Sequence, residues 1–256
     1  MSQIRFERVV KRLGGRVVLN GVSLEIKKGE TFAIVGASGT GKSVSLKHMI
    51  RLLTPDEGQV WIGDDLISEA RGADLERIRA RFGVLFQGSA LLQWLTVGQN
   101  VALPLIERLG IREGEALDRA RKQLELLELE GAFDKMPADL SGGMQKRVGL
   151  ARAIVTEPEI LLYDEPTSGL DPVTSRTIDR LIEDLRKRLG VTSVMVTHDL
   201  HSALAIAHRI AVIDGGQIVE TATPEEFVQS EQPVVRAFLE AQYITRSGTW
   251  EEGKPS

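Results

Sequence analysis

The 256-residue chain has no cysteine, which excludes a disulfide framework and a thiolate metal site. It lacks an excess of positive charge: 32 Lys and Arg stand against 36 Asp and Glu, for a net charge of −4. That leaves no global basic footprint and argues against nucleic acid as the main partner. Aromatic residues make up only 5% of the chain. No apolar run approaches the roughly 18 residues needed to cross a bilayer. The opening stretch, "MSQIRFERVV", is charged and alternating, so it reads as a strand and not as a signal peptide. The expectation is a soluble, cytoplasmic chain that works at a membrane only if another protein holds it there.

What remains is an ordinary globular composition, 42% hydrophobic and 27% charged, long enough for one large core with an inserted subdomain. Residues 1–35 alternate as strands, and "TFAIVG" is apolar throughout. "GKSVSLKHMIRLL" follows with helical spacing and stops at the turn "TPDEG". "QVWIGDD" and "RFGVLFQ" are strand-like. From about 89 to 156 the character turns helical, as in "TVGQNVALPLIERLG", "EGEALDRARKQLELLELEG" and "GGMQKRVGLARAIV". Strands and helices then alternate again. "EILLYDE" and "VTSVMVTH" read as strands buried on both faces, and "RIAVIDGGQIVE" as a hairpin turning at Asp214-Gly215-Gly216. One amphipathic helix, "PEEFVQSEQPVVRAFLEAQ", is expected near the end. The polar segment 241–256, with Trp250, is expected to be a mobile tail and carries no functional reading. The alternation predicts a parallel sheet covered on both faces.

Gly36-Ala37-Ser38-Gly39-Thr40-Gly41-Lys42-Ser43 matches a phosphate loop, with a strand before it and a helix after it. Glycines let main-chain N–H groups wrap phosphates at a helix start. Lys42 is expected to reach the β- and γ-phosphates, and the Ser43 hydroxyl to ligate Mg²⁺. At the end of "ILLYDE", Asp164 is the candidate direct or indirect Mg²⁺ partner and Glu165 the candidate general base for water. His198 ends the next apolar strand, where it either contacts the γ-phosphate or is merely solvated. Gln87, ending "VLFQ", either touches Mg²⁺ or water or is a surface glutamine. Ser141-Gly142-Gly143-Met144 opens a helix and offers a second anion seat, or is an ordinary capped helix start.

Loop 36–43, Gln87, "LSGGM" at 140–144, "LLYDEP", "SGLD" at 168–171 and His198 stand in the order and spacing of ABC-transporter ATPase subunits, which the chain resembles to about residue 240. The resemblance implies a P-loop NTPase fold of the ABC ATPase type. That is a mostly parallel RecA-like core sheet with helices on both faces, an N-terminal antiparallel β subdomain and a helical subdomain inserted at about 89–156. It implies ATP and Mg²⁺ as ligands, with Gln87, Asp164 and Ser43 on the metal. Glu165 becomes the catalytic glutamate and His198 the switch histidine. It implies a head-to-tail homodimer in which each Ser141–Met144 segment covers the γ-phosphate held by the other subunit. Two departures stand out. Leu13 occupies the place of an adenine-stacking aromatic, with Val18 counted beside it as a nucleotide contact, and Met144 replaces a glutamine.

"FQGSALLQWLTVGQNVALPL" lies where such subunits receive a permease helix. Leu91, Leu92 and Trp94 either form that docking surface or pack the core of the insertion. "FQGSALL", Met144 and "YDEPTSGLDPVTS" together resemble the ATPases of Mce-associated lipid transporters, of the maintenance-of-lipid-asymmetry and toluene-tolerance type. That likeness implies two permease chains, a periplasmic Mce-type lipid-binding protein, a phospholipid or other hydrophobic cargo, and a place on the cytoplasmic face of the inner membrane. An ATPase of a polar-solute importer, a soluble non-transport ABC ATPase and a module that only binds ATP are the alternatives.

Overall fold

The computed structural model describes residues 2–245. Trp250, in the terminal segment of the chain, lies outside them. In chain order the elements begin with β1 (Ser2–Leu13), β2 (Arg16–Lys27), β3 (Thr31–Val35), α1 (Lys42–Met49), β4 (Glu57–Ile62) and β5 (Asp65–Leu66). Next come α2 (Gly72–Arg79), β6 (Phe82–Leu85), α3 (Val97–Leu109), α4 (Glu113–Leu126), α5 (Gly142–Ile154), β7 (Ile160–Asp164) and α6 (Pro172–Leu189). The chain closes with β8 (Thr192–Thr197), α7 (Leu200–Ile206), β9 (Arg209–Asp214), β10 (Gln217–Ala222), α8 (Pro224–Val228) and α9 (Pro233–Ala241).

Of the described residues, 2–75 with 194–245 form one compact unit, and 76–193 another. The first holds an antiparallel sheet in the order β2-β1-β4-β5. Its alternating pattern sends Ile4 and Phe6 to a buried face, opposite Ile62 and Val60 of β4. The same unit carries β10-β9-β3-β8. β3 runs parallel to β9, with Phe32 opposite Arg209 and Val35 opposite Val212. Every residue of β3 is buried, which is why the stretch reads as an unbroken apolar run. Glu30, itself buried, accepts from Arg209, which also lies over the Phe32 ring.

In the second unit β6 and β7 pair in parallel, Phe82 opposite Ile160 and Leu85 opposite Tyr163. The Thr192 N–H donates to the Glu159 carbonyl, 3.0 Å away, at the start of β8. The helical stretch consists of α3, α4 and α5. Thr96 caps α3 in a reciprocal box with Gln99, and Gly110 closes the helix in the left-handed region.

Three sequence expectations change. The terminal amphipathic helix is two helices, α8 and α9, because Pro233 cannot continue a helix but fits a first turn, where Gln232 caps the Val234 N–H at 2.8 Å. α4 stops at Leu126, and Glu128 turns left-handed with φ +58°. Order also continues past 241: Ile244 is buried and Gln242 is bonded to the loop after β8.

Candidate functional site

The phosphate loop joins β3 to α1. Its Lys42 is buried, and the ammonium donates to the Gly36 carbonyl at 2.8 Å and the Ala37 carbonyl at 2.9 Å. The Thr40 hydroxyl also donates to the Ala37 carbonyl. The loop is therefore wound around its own lysine, with Ala37, Ser38 and Gly39 exposed. Gly41 caps α1 with φ +108°, and an added Cβ would lie 2.8 Å from Leu19 Cδ2 and 2.9 Å from the Val18 oxygen. Only glycine serves there. The same contact brings Val18 to the loop, whereas Leu13 ends β1 half-exposed.

His198 is exposed just past β8. Its carbonyl accepts from Gln242 Nε2 at 2.7 Å, while Gln242 Oε1 accepts from the Leu200 N–H at 2.9 Å. Asp199 caps α7 by accepting from His201 and Ser202 main-chain N–H groups.

In the second unit, the register of the parallel pair matters most. Leu85 faces Tyr163, so two residues further on Gln87 and Glu165 leave the carboxyl ends of adjacent strands. Asp164 and Glu165 are each 8% exposed, and Glu165 adopts φ +50°, a left-handed conformation rare for a side chain of its size. Its carbonyl accepts from the Ser168 N–H at 3.2 Å and from Lys146 Nζ at 3.1 Å. Lys146 Nζ also donates to the Gln87 carbonyl. Burial lowers the pKa of Lys146, and the charges of Asp164 and Glu165 act against that shift.

α5 reaches this point because it runs antiparallel to β6 at close range. An added Cβ on Gly83 would lie 2.0 Å from the Ala153 oxygen, and one on Gly149 would lie 2.5 Å from Leu85 Cδ1. Four helical residues cover about 6 Å and two strand residues about 6.6 Å, so the steps match along the two elements. Three residues before Gly149, in the next turn of the helix, Lys146 meets the Gln87 carbonyl.

At the start of α5 the Ser141 hydroxyl oxygen accepts from the Met144 N–H at 3.3 Å. Ser141 and Gly142 are exposed, while Gly143 is buried, 2.6 Å from Thr174 Cγ2 as measured from an added Cβ. Ser141 is thus a helix cap, and of this helix start only Ser141 and Gly142 stand at the surface.

A family model described as ABC transporter matches residues 19–168. The chain belongs to the ABC transporter family. Its relatives include a probable ribonucleotide transport ATP-binding protein, mkl, of Mycobacterium leprae, 39% identical over 249 residues, 97% of this chain and 72% of that one. A methionine import ATP-binding protein, MetN, of Caulobacter vibrioides is 41% identical over 239 residues, covering 92% of this chain and 72% of the other. A bacterial ABC transporter cassette solved as a dimer superposes with a TM-score of 0.79 at 35% identity, over 86% of this chain and 98% of its own. The ABC ATPase fold and an ATP-hydrolysing class of subunit follow from these matches.

The donor set fits the ligands that an ABC subunit takes. In the first unit main-chain N–H groups, Lys42 and a helix start suit polyphosphate and Ser43 offers a hydroxyl oxygen; in the second, the Gln87 amide and Asp164 carboxylate are oxygen donors of the kind Mg²⁺ prefers. No helix among the described residues is long and apolar enough to cross a membrane.

The segment after β6 divides the expected apolar cluster. Leu91 is buried, whereas Trp94 is 74% exposed. Asn100, fully buried on α3, accepts from the Leu92 N–H and donates to the Leu92, Leu95 and Thr96 carbonyls, all within 3.1 Å. Beside this pinned loop lies a groove of about 280 Å³ lined by Phe86, Ala90, Pro104, Arg108 and Arg152. Arg152 donates to the carbonyls of Ser89 and Ala90, both left-handed.

Sequence reading missed Lys146, Arg152, Asn100 and Gln242. For Lys146 a signal exists: Gly143, Leu150 and Ala153, at helical spacing from it, all face inward. A lysine on that stripe must find acceptors inside the protein.

Proposed function

We propose that this ABC subunit is the ATP-hydrolysing motor of a membrane transporter. The observation that carries the reading is Glu165, a buried carboxylate held in left-handed main chain at the end of β7, in a chain whose Lys42 loop is wound to receive phosphates. In this reading Lys42 binds the β- and γ-phosphates, and Ser43, Gln87 and Asp164 hold Mg²⁺, which neutralises charge on the phosphates when bound. Glu165 takes a proton as water attacks the γ-phosphorus; the bond to the bridging oxygen breaks and ADP leaves with that oxygen. His198 orients the reacting group. Leu13 and Val18 give adenine apolar contact without stacking.

Two copies sandwich ATP, the exposed start of α5 from one closing on the loop of the other. The dimeric relative and the exposure of Ser141 and Gly142 favour this arrangement. Hydrolysis removes the shared phosphate and opens the pair. Trp94, exposed on a loop that Asn100 fixes beside the groove, supports docking of a permease helix, because a rigid exposed aromatic is a typical interface anchor. The permease then holds the subunit at the cytoplasmic face of the inner membrane.

For cargo we infer a phospholipid or another hydrophobic lipid, with an Mce-domain partner, from the "FQGSALL" stretch, Met144 and "YDEPTSGLDPVTS". The methionine import relative favours a second reading, a polar-solute importer. Purification of the tagged subunit from gently solubilised native membranes, followed by mass spectrometry, separates them. A permease with an Mce-domain protein is the expected companion. A permease with a solute-binding protein would remove the lipid reading, and no membrane partner at all would remove the transporter.

A further inference from the structure

Lys146 is 5% exposed, yet its ammonium faces main chain instead of water. It donates to two carbonyls at once, those of Gln87 and Glu165. Both belong to main chain that leaves regular structure at the carboxyl ends of β6 and β7. Glu165 itself is left-handed, and so are Ser89 and Ala90, just after Gln87. Such conformations cost energy and persist only where surrounding groups hold them. Arg152 on the same helix holds the Ser89 and Ala90 carbonyls. α5 thus secures the whole turn after β6 with two cations, and one of them is shared with the Glu165 main chain.

A buried ammonium is an expensive way to fill space. An apolar side chain of equal length would pack there without a desolvation cost. What the ammonium adds is a link between two segments, since it donates to one carbonyl of each. The Glu165 carboxylate is aimed by its own main chain, so its direction depends on the carbonyl that Lys146 grips. Displacement of the 87–90 turn moves the same ammonium.

We propose that Lys146 is a positioning residue for hydrolysis, fixing the main chain from which Glu165 is aimed and making it follow the turn that begins at Gln87. The proposal rests on the reading of Glu165 as the general base.

The test uses the full chain with Lys146→Met, Lys146→Gln, Lys146→Arg and, as a reference, Glu165→Gln. Thermal unfolding, mant-ATP affinity, and kcat and KM for ATP are measured on each. Lys146→Met removes both bonds while keeping the stem, and is expected to lower kcat at least tenfold with KM and mant-ATP affinity within twofold of wild type. Lys146→Arg keeps two donors and is expected to recover kcat to within threefold. If Lys146→Met does not fold, Lys146→Gln, whose amide is uncharged and shorter in reach than the ammonium, should show at least a threefold fall in kcat at unchanged KM. Wild-type kcat in the folded Met or Gln variant, with Glu165→Gln inactive, would overturn the proposal and leave Glu165 as the base. Equal losses of kcat and nucleotide affinity would make Lys146 purely structural and also overturn it. Full turnover by Glu165→Gln would remove the reading of Glu165 first, and the proposal with it.

Discussion

Gln242 holds the loop of His198 from both sides: its amide nitrogen donates to the His198 carbonyl at 2.7 Å and its amide oxygen accepts from the Leu200 N–H at 2.9 Å. A residue at the end of α9 therefore sets the main chain of His198. Gln242→Ala removes both bonds, with an expected cost of about 1 kcal/mol, given the partial exposure of the site. Amide hydrogen exchange in a peptide covering 198–202 should quicken, with exchange at 36–43 unchanged, and ATP turnover should fall several-fold. Unchanged exchange at 198–202 would mean that the loop is held by other contacts.

Glu165→Gln keeps the size of the side chain and removes its basicity. Turnover is expected to fall by about 10²- to 10⁴-fold with ATP binding retained. Steady-state phosphate release and mant-ATP titration on the same sample check both halves. A loss of binding equal to the loss of turnover would place Glu165 in the binding of the nucleotide.

Gly83 is the tightest point in the packing of β6 against α5, since an added Cβ would stand 2.0 Å from the main-chain oxygen of Ala153. Main chain cannot swing aside as a side chain does. Gly83→Ala should cost about 2–3 kcal/mol, near the upper end of overpacking losses. Gly114, exposed on α4 with nothing within 4 Å of an added Cβ, is the control. There alanine should be neutral or gain up to about 1 kcal/mol. Urea unfolding of the two variants tests the contrast.

His48 is buried on α1. Its Nδ1 donates to the Val44 carbonyl at 2.7 Å, and Nε2 has no hydrogen-bond partner among the described residues. Burial lowers its pKa below the ordinary 6.5, an effect that the Val44 bond and Asp56 oppose and Lys11 reinforces. The unfolded chain therefore takes up this proton before the folded one. The stability that His48 contributes is full above pH 6.5 and declines as the pH falls towards the folded-state value, by up to about 1.4 kcal/mol per pH unit. His48→Leu cannot titrate. Wild-type stability minus variant stability should fall as the pH is lowered from 7.5 to 5.5. A difference that rises on acidification would mean that the folded state raises the pKa of His48 instead of lowering it.

Much of the fold is legible because it is local. The alternation in β1, the unbroken apolar runs of β3, β7 and β8, and the glycine-lysine pattern before α1 each state their structure within a dozen residues. The candidate site is legible for the same reason: the phosphate loop, Asp164-Glu165 and Ser141-Gly142-Gly143 are contiguous motifs. The split of the final helix was also written in the sequence, in Pro233, but the amphipathic spacing across it masked the break.

The order of elements, the chemistry of the loop and the family were thus set by the sequence alone, because each depends on residues close enough along the chain to form a pattern. Only the tertiary structure decided what Lys146, Arg152, Asn100 and Gln242 do. Lys146 meets a partner 59 residues away and another 19 away, and Gln242 meets one 44 away. No period in the sequence encodes those separations. Those of Lys146 arise from the register that aligns Leu85 with Tyr163 and from the glycines that let α5 descend on β6, where a buried polar side chain must bond whatever carbonyl it finds, and that of Gln242 arises from the end of α9 meeting the loop after β8.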